Sequence, residues 1–417
     1  MNSREITKIK KCRICDSTDL VEVIDLNSQP IPNGFLPKEA LKIKEKAYPL
    51  HVSFCQNCSL MQLTYLVTPK IMFDNYLYIP SASKTRINHF KNIADEVMQR
   101  AQLNEKSLVI DVGSNDGSLL TAFKNIGVKT LGIDPAENLV KVAELKGIQT
   151  VHGYFDSKLA LQVAKKYGKA KAICATNVIA HIPNLHEVMK GGDILLEDSG
   201  IFFMQFPYSL DLLEKNLFDT IYHEHLSYFS VKSLMYLADT SNLEIFDIEK
   251  DELDGGSLKV YWKKKTNKKQ KINHDKISRL LKEEEKYGLH EIDVYIKFAA
   301  RIEKLKNQTV KRLKALKKSN KHIVGYGAAA KANVLLNYFE IDVKTIDYIV
   351  DSTPYKQGLY APGSHIPIYS EEKIYETNPD YVLIFAWNFS KEIIEKNKKY
   401  KKDGGKFILV VPTFKIA

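Results

Sequence analysis

Apolar positions along the chain fall into two rhythms that alternate for most of its length. Between residues 84 and 104, Ile87, Phe90, Ile93, Ala94, Val97 and Met98 recur at three- and four-residue spacing, which predicts an amphipathic helix. The run Ser107-Leu108-Val109-Ile110-Asp111-Val112 follows, then the polar turn Gly113-Ser114-Asn115-Asp116-Gly117 and a new helix start at Ser118-Leu119-Leu120. That is a buried strand, a tight turn and a helix. A second strand, Lys129 to Ile133, ends on Asp134. A third spans Ala172-Ile173-Cys174-Ala175-Thr176, and Gln205-Phe206-Pro207-Tyr208 closes another. Strands of this kind alternating with helices predict an open α/β sheet. The pattern returns after an amphipathic helical stretch at 276–318, where Tyr295, Phe298, Ala299, Ile302 and Leu305 share one apolar face. There His322 to Lys331, Tyr348 to Asp351 and Asp380 to Asn388 read as strands, the first running into the turn Gly325-Tyr326-Gly327-Ala328-Ala329-Ala330.

The first 75 residues lack this alternation. They contain two C-x-x-C pairs, Cys12/Cys15 and Cys55/Cys58, with the turn-rich Gln29-Pro30-Ile31-Pro32-Asn33-Gly34 between them. A two-residue gap lets both thiolates of a pair face one ion, and two pairs close a four-thiolate tetrahedron with no open position. The spacing predicts a structural zinc ion; duplicated pairs fit thioredoxin-like chemistry poorly. The fifth cysteine, Cys174, sits in an apolar strand and reads as an inert buried thiol. At 417 residues the chain exceeds one ordinary domain. Three units are expected: a zinc-binding domain at 1–75, a cofactor-binding domain at 76–268, and a second Rossmann-like domain with its helical connector at 269–417.

Hydrophobic residues make up 44% of the chain and charged residues 27%, as in soluble globular proteins. No apolar run approaches the roughly 20 residues that span a bilayer, and no signal core follows the N-terminus, so a cytoplasmic protein without membrane contact is expected. The formal charge of +11 favours an anionic ligand. A zinc-knuckle nucleic-acid binder is a distant alternative, because the interleaved basic and aromatic motif of RNA readers is missing. Nothing in the pattern sets an oligomeric state.

The glycines at 113 and 117 allow close backbone approach to a ligand but do not match G-x-G-x-x-G. Asp134, 23 residues after Asp111, stands where a carboxylate can accept both hydroxyls of a ribose at the carboxyl edge of an α/β sheet. This glycine turn with an acidic strand end resembles class I methyltransferases that use S-adenosylmethionine. The resemblance implies that Gly113, Ser114, Asn115, Asp116 and Gly117, with Asp111, approach the methionine part, that Asp134 meets the ribose, and that Asn177 lines the sulfonium pocket.

Further on, Tyr222-His223-Glu224-His225 gathers two imidazoles, a phenol and a carboxylate in four residues. It lacks the i, i+4 histidines of a metal helix; proton transfer is the remaining chemistry. With Gly255-Gly256-Ser257, Gly325-Tyr326-Gly327-Ala328, Lys331, Tyr355-Lys356-Gln357-Gly358 and the cysteine pairs, the chain nearly end to end resembles the sugar C-methyltransferases of deoxysugar biosynthesis. The resemblance implies methylation at C3 of a nucleotide-linked 4-keto-deoxysugar. His225 would be the base, with Glu224 orienting it or taking its place, Tyr222 the donor to the enolate oxygen, and His181 part of the same polar wall. Tyr76, Tyr78, Ser81, Lys259 and Lys331 would bind substrate, Lys331 near the diphosphate, and the last domain would close over the substrate without a redox cofactor. Pro80, Asp254, Lys259 and Ala332 depart from the family pattern, which leaves sugar and nucleotide open. A methyltransferase of this fold acting on another acceptor is the alternative.

Overall fold

The computed structural model describes residues 5–73 and 79–417; the expected substrate residues Tyr76 and Tyr78 lie outside them. The first unit is built on an antiparallel sheet of Leu20–Gln29, Tyr48–Cys55 and Met61–Leu63. One end is pinned by the four cysteines. Cys12 Sγ lies 3.4 Å from Cys58 Sγ, and Cys15 Sγ lies 3.5 Å from Cys55 Sγ. All four sulfurs fall within 4.8 Å of one another. Bonds of about 2.3 Å around a tetrahedral ion require sulfur–sulfur edges of about 3.8 Å. The cluster therefore has the size and donor set of a structural zinc site, and Cys12, Cys55 and Cys58 are fully buried in it.

The middle unit is a seven-stranded sheet. In spatial order its strands are Leu243–Asp251, Ser257–Lys264, Leu196–Pro207, Ala170–Thr176, Leu108–Val112, Lys129–Asp134 and Thr150–His152. All run in one direction except Ser257–Lys264, which pairs antiparallel with both of its neighbours. Their side chains are buried almost throughout, which explains the unbroken apolar runs in the sequence. Helix Lys84–Ala101 covers one face through Phe90, Ile93, Ala94, Val97 and Ala101, starting where the Ser83 side chain accepts Arg86 N–H. Strand order reverses between Leu108–Val112 and Ala170–Thr176, and ligands of open α/β sheets bind outside the carboxyl ends at such a reversal.

The amphipathic stretch at 276–318 forms two helices, His274–Tyr287 and Ile292–Lys318, separated at Gly288, which takes the left-handed C-cap. Beyond them lies a six-stranded sheet ordered Ile368–Tyr369, Ile349–Val350, Ile323–Tyr326, Tyr381–Ile384, Lys406–Leu409, Lys415–Ile416, parallel except for the last strand. Its own reversal lies between Ile323–Tyr326 and Tyr381–Ile384. The architecture is thus a four-thiol domain followed by two doubly wound α/β layers. Among the described residues no helix is long and apolar enough to cross a membrane.

A closed four-sulfur shell cannot lose one donor and remain closed. Replacing Cys55 with serine is expected to lower bound zinc well below one ion per chain and to depress the melting temperature, read by elemental analysis and thermal denaturation. A Cys55→Ser chain of wild-type stability without zinc would refute the structural role.

Candidate active site

The two reversals open into one cavity of about 1290 Å³. Val112, Gly113, Thr176 and Asn177 line it from the middle sheet, and Tyr326, Gly327, Ala386 and Asn388 from the last sheet. Pro69, Phe73 and Asn33 of the four-thiol domain supply a third wall.

At the first end, the turn after Leu108–Val112 is tied to Asp134. Its carboxylate accepts Asn115 N–H and Ala136 N–H, both at 2.8 Å. The last sheet repeats this device: Asp351, at the end of its second strand, accepts Ala328 N–H at 2.7 Å and Thr353 N–H at 2.8 Å. Gly113 has φ +69°, and a Cβ there would meet Val178 Cγ2 at 2.5 Å, so only glycine fits. Asp111 lies beneath this turn. Burial, reinforced by the nearby Asp134 charge, pushes its carboxyl well above the usual range. Asp111 Oδ1, Ser114 Oγ and Asn177 Oδ1 are buried cavity-lining atoms without a hydrogen-bond partner among the described residues. Each such buried atom left unmet costs about 1–3 kcal/mol. They constitute a demand for a polar ligand.

Asp116 and Gly117 do not line the cavity. Asp116 accepts Ser118 Oγ at 2.6 Å, Ser118 N–H at 3.2 Å and Lys146 Nζ at 2.7 Å, and also holds the Ser81 hydroxyl. It organises the turn and keeps Ser81 there, away from the cavity lining. A Cβ on Gly117 would press on Ile148 at 3.0 Å, so this glycine serves packing.

At the second end stand His181, Tyr222 and His225. The Tyr222 and His225 rings lie 3.9 Å apart between centroids, and those of His181 and His225 5.0 Å apart. His225 Nδ1 is 2.7 Å from the Thr220 carbonyl oxygen. A carbonyl can only accept, so Nδ1 carries the proton and Nε2 the lone pair. Burial lowers this imidazole to about 4, against the opposing pull of the Thr220 carbonyl. His181 is driven down by burial as well, and further by His225; its Nε2 has no partner among the described residues. Both rings are neutral at pH 7. The group that orients His225 is therefore a backbone carbonyl. Glu224 instead accepts Asn33 Nδ2 at 2.6 Å and does not line the cavity.

Across the cavity Lys331 Nζ is buried with no hydrogen-bond partner among the described residues and lies 4.4 Å from the Trp387 ring centroid. Lys259 is elsewhere, held by Glu96 at 2.8 Å and Asp251 at 3.2 Å. The strand register that places it opposite Gln205 turns its ammonium onto the helix Lys84–Ala101, whose Glu96 neutralises it. Arg86, which nothing in the sequence separates from a surface charge, does line the cavity. Its Nη2 donates to both Asp254 oxygens, at 3.0 and 2.9 Å, across 168 positions. Only the fold joins these two.

Sequence relationships agree with this geometry. Residues 12–73 match a zinc binding domain, 86–248 a methyltransferase domain and 252–412 a C-methyltransferase C-terminal domain. C-methyltransferase NovU of Streptomyces niveus is 34% identical over 98% of this chain and 96% of its own. The chain belongs to the C-methyltransferase family. It is an S-adenosylmethionine-dependent C-methyltransferase. Solved structures with some likeness include an S-adenosylmethionine-dependent methyltransferase from Clostridium acetobutylicum (15% identity, 42% of this chain and 91% of that one, TM-score 0.35). Another is the plantazolicin methyltransferase BpumL (13%, 44% and 86%, TM-score 0.36).

In this C-methyltransferase, Gly113→Ala adds a methyl group onto Val178 and strains a left-handed residue by about 1 kcal/mol or more. Calorimetric titration of the folded variant is expected to show S-adenosylmethionine affinity reduced about tenfold or more, which is about 1.4 kcal/mol. Unchanged affinity would show that the cofactor does not approach this turn.

Proposed function

We propose that the enzyme methylates C3 of a nucleotide-linked 4-keto-deoxysugar after removing the C3 proton. The observation that carries this reading is His225, a neutral imidazole lining the cavity whose only proton-accepting atom is Nε2. A sugar carbon becomes nucleophilic when it lies beside a carbonyl and loses its proton, and a 4-keto group makes C3 such a carbon. Bound S-adenosylmethionine supplies the electrophilic methyl group.

The chain's own residues divide the remaining work. Asp134, at the carboxyl edge of the sheet, offers its remaining lone pairs to the ribose hydroxyls. The unpaired oxygens of Asp111 and Asn177 favour the cationic methionine end. His225 Nε2 takes the C3 proton, and the Thr220 carbonyl steadies the imidazolium that results. Tyr222, its ring tilted against that of His225, donates to the developing enolate oxygen, and a well-placed donor is worth about 10²–10³ in rate. His181 completes this wall, Glu224 holds the loop against Asn33, and Lys331 offers an unpaired buried ammonium to the diphosphate. A +11 chain suits such an anionic acceptor.

Mass spectrometry of reactions with S-adenosylmethionine and a panel of nucleotide-linked 4-keto sugars, run in deuterated water, tests this directly. One added methyl group with base-dependent exchange at the adjacent carbon is expected; no methyl gain across the panel would send the enzyme to a different acceptor. His225→Ala should abolish methyl transfer and exchange while keeping cofactor affinity, and unchanged turnover would remove His225 from the mechanism. The base works only when unprotonated, and burial lowers its pKa to about 4. Activity as kcat/KM should therefore persist as pH falls through 6.5 and be lost only near 4. An acid limb at 6.5 would mean that the working base is a solvated histidine.

A further inference from the structure

The segment carrying Tyr222, Glu224 and His225 leads directly into a strand of the four-thiol domain. Ser227–Tyr228 pairs antiparallel with Met61–Gln62 and forms the edge of that domain's sheet. At the join lies Arg13, between Cys12 and Cys15. Its backbone N–H donates to Gln62 Oε1 at 3.0 Å. Its guanidinium spans two carbonyls: Nη1 donates to Leu63 O at 3.2 Å and to Leu226 O at 2.9 Å, and Nη2 donates to Leu63 O at 3.2 Å. Leu226 is the residue after His225. The same peptide oxygen accepts Leu63 N–H at 3.0 Å, and Leu226 N–H donates to Ala180 O at 2.7 Å. Ala180 precedes His181. Both cavity imidazoles thus adjoin a residue fixed by this one crossing of backbone and guanidinium.

The charge of Arg13 needs explaining. It is 8% exposed, and no carboxylate lies within 4 Å of it among the described residues. A guanidinium keeps its proton at neutral pH, so Arg13 is a buried cation. A buried cation without a counter-charge is costly. Four thiolates around a divalent ion carry a net charge of −2, and Arg13 sits inside that knuckle. Neutralisation therefore comes from the metal site itself, which leaves the guanidinium free to bind carbonyls. Arginine suits this because its planar fork holds donors in fixed directions, whereas a lysine offers one nitrogen on a flexible stem.

We propose that Arg13 is a positioning residue for methyl transfer, through which the zinc knuckle fixes the Leu226 peptide and with it the His225 imidazole. This rests on His225 acting as the base. The zinc domain is then part of the catalytic geometry, and its metal sets the placement of a proton acceptor it never touches.

The test compares Arg13→Lys and Arg13→Met in the full, zinc-loaded chain. Arg13→Lys keeps the cation beside the thiolates and loses the fork. It is expected to retain one zinc ion per chain, the S-adenosylmethionine affinity and the acceptor KM, while kcat falls by about 10²-fold, the scale of a displacement of about 1 Å at the reacting groups. Hydrogen exchange in the peptide covering 222–228 should accelerate, with 108–134 unchanged. Wild-type kcat and exchange in Arg13→Lys would overturn the proposal. Loss of zinc together with activity would also overturn it, in favour of a role in metal binding. Should Arg13→Met fail to fold, Arg13→Lys decides alone. His225→Ala run alongside separates the two readings: if it turns over normally the base assignment fails, and the exchange data still report whether Arg13 holds the loop.

Discussion

Two backbone pairs, Ser227 with Gln62 and Tyr228 with Met61, hold together elements that the chain separates by more than 160 positions. Through them the Tyr222–His225 segment is anchored on the four-thiol domain, while Leu226 N–H bonds to Ala180 at the mouth of the middle sheet. The role proposed for this loop needs its side chains fixed to a fraction of an ångström, which a solvent-exposed loop cannot provide alone. Here the loop is an edge strand on one side and is held by a peptide bond partner on the other. The zinc site matters because a sheet this small cannot stabilise itself by burial, and a metal supplies the rigidity that a hydrophobic core of that size lacks.

The cavity follows from a second constraint. Each doubly wound sheet splays its connections apart at the point of strand reversal, which leaves an opening at the carboxyl edge. The two openings face each other, so the Gly113 end and the Lys331 end belong to one volume. Gly255 makes this closeness possible. A Cβ at Gly255 would overlap Trp387 at 2.5 Å, and one at Gly256 would overlap Asp211 at 2.4 Å. Trp387 in turn donates to Asp219 at 2.6 Å and underlies Lys331. Gly255 is therefore bare so that Trp387 of the last domain can dock, while Gly256 makes room for Asp211 within the middle domain.

Much of this was legible in the residue pattern. The strand–turn–helix units, the paired cysteines and the two acidic strand ends are local signals, written within stretches of a dozen residues. Local signals survive translation into sequence because strand burial, turn geometry and tetrahedral thiolate spacing all act over short chain distances. Asp116 and Gly117 show what such reading leaves open: they sit in the glycine turn, yet one hydrogen-bonds within it and the other packs against Ile148. Lys259 shows the same for charge. A lysine on a strand near a site says nothing of whether a glutamate on a crossing helix will claim it, as Glu96 does.

What the sequence by itself determined, then, is the fold class, the four-thiol site and the chemical inventory, a glycine turn with an acidic strand end and a cluster of phenol, imidazole and carboxylate side chains. Tertiary structure alone decided how that inventory is deployed. It set the protonated nitrogen of His225 by placing the Thr220 carbonyl against Nδ1. It paired Arg86 with Asp254, gave Glu224 to Asn33, and put Arg13 between two carbonyls far apart in the chain. The reason is physical. A hydrogen-bond partner or a counter-charge is chosen by distance in space, and distances between remote segments exist only once the chain has folded.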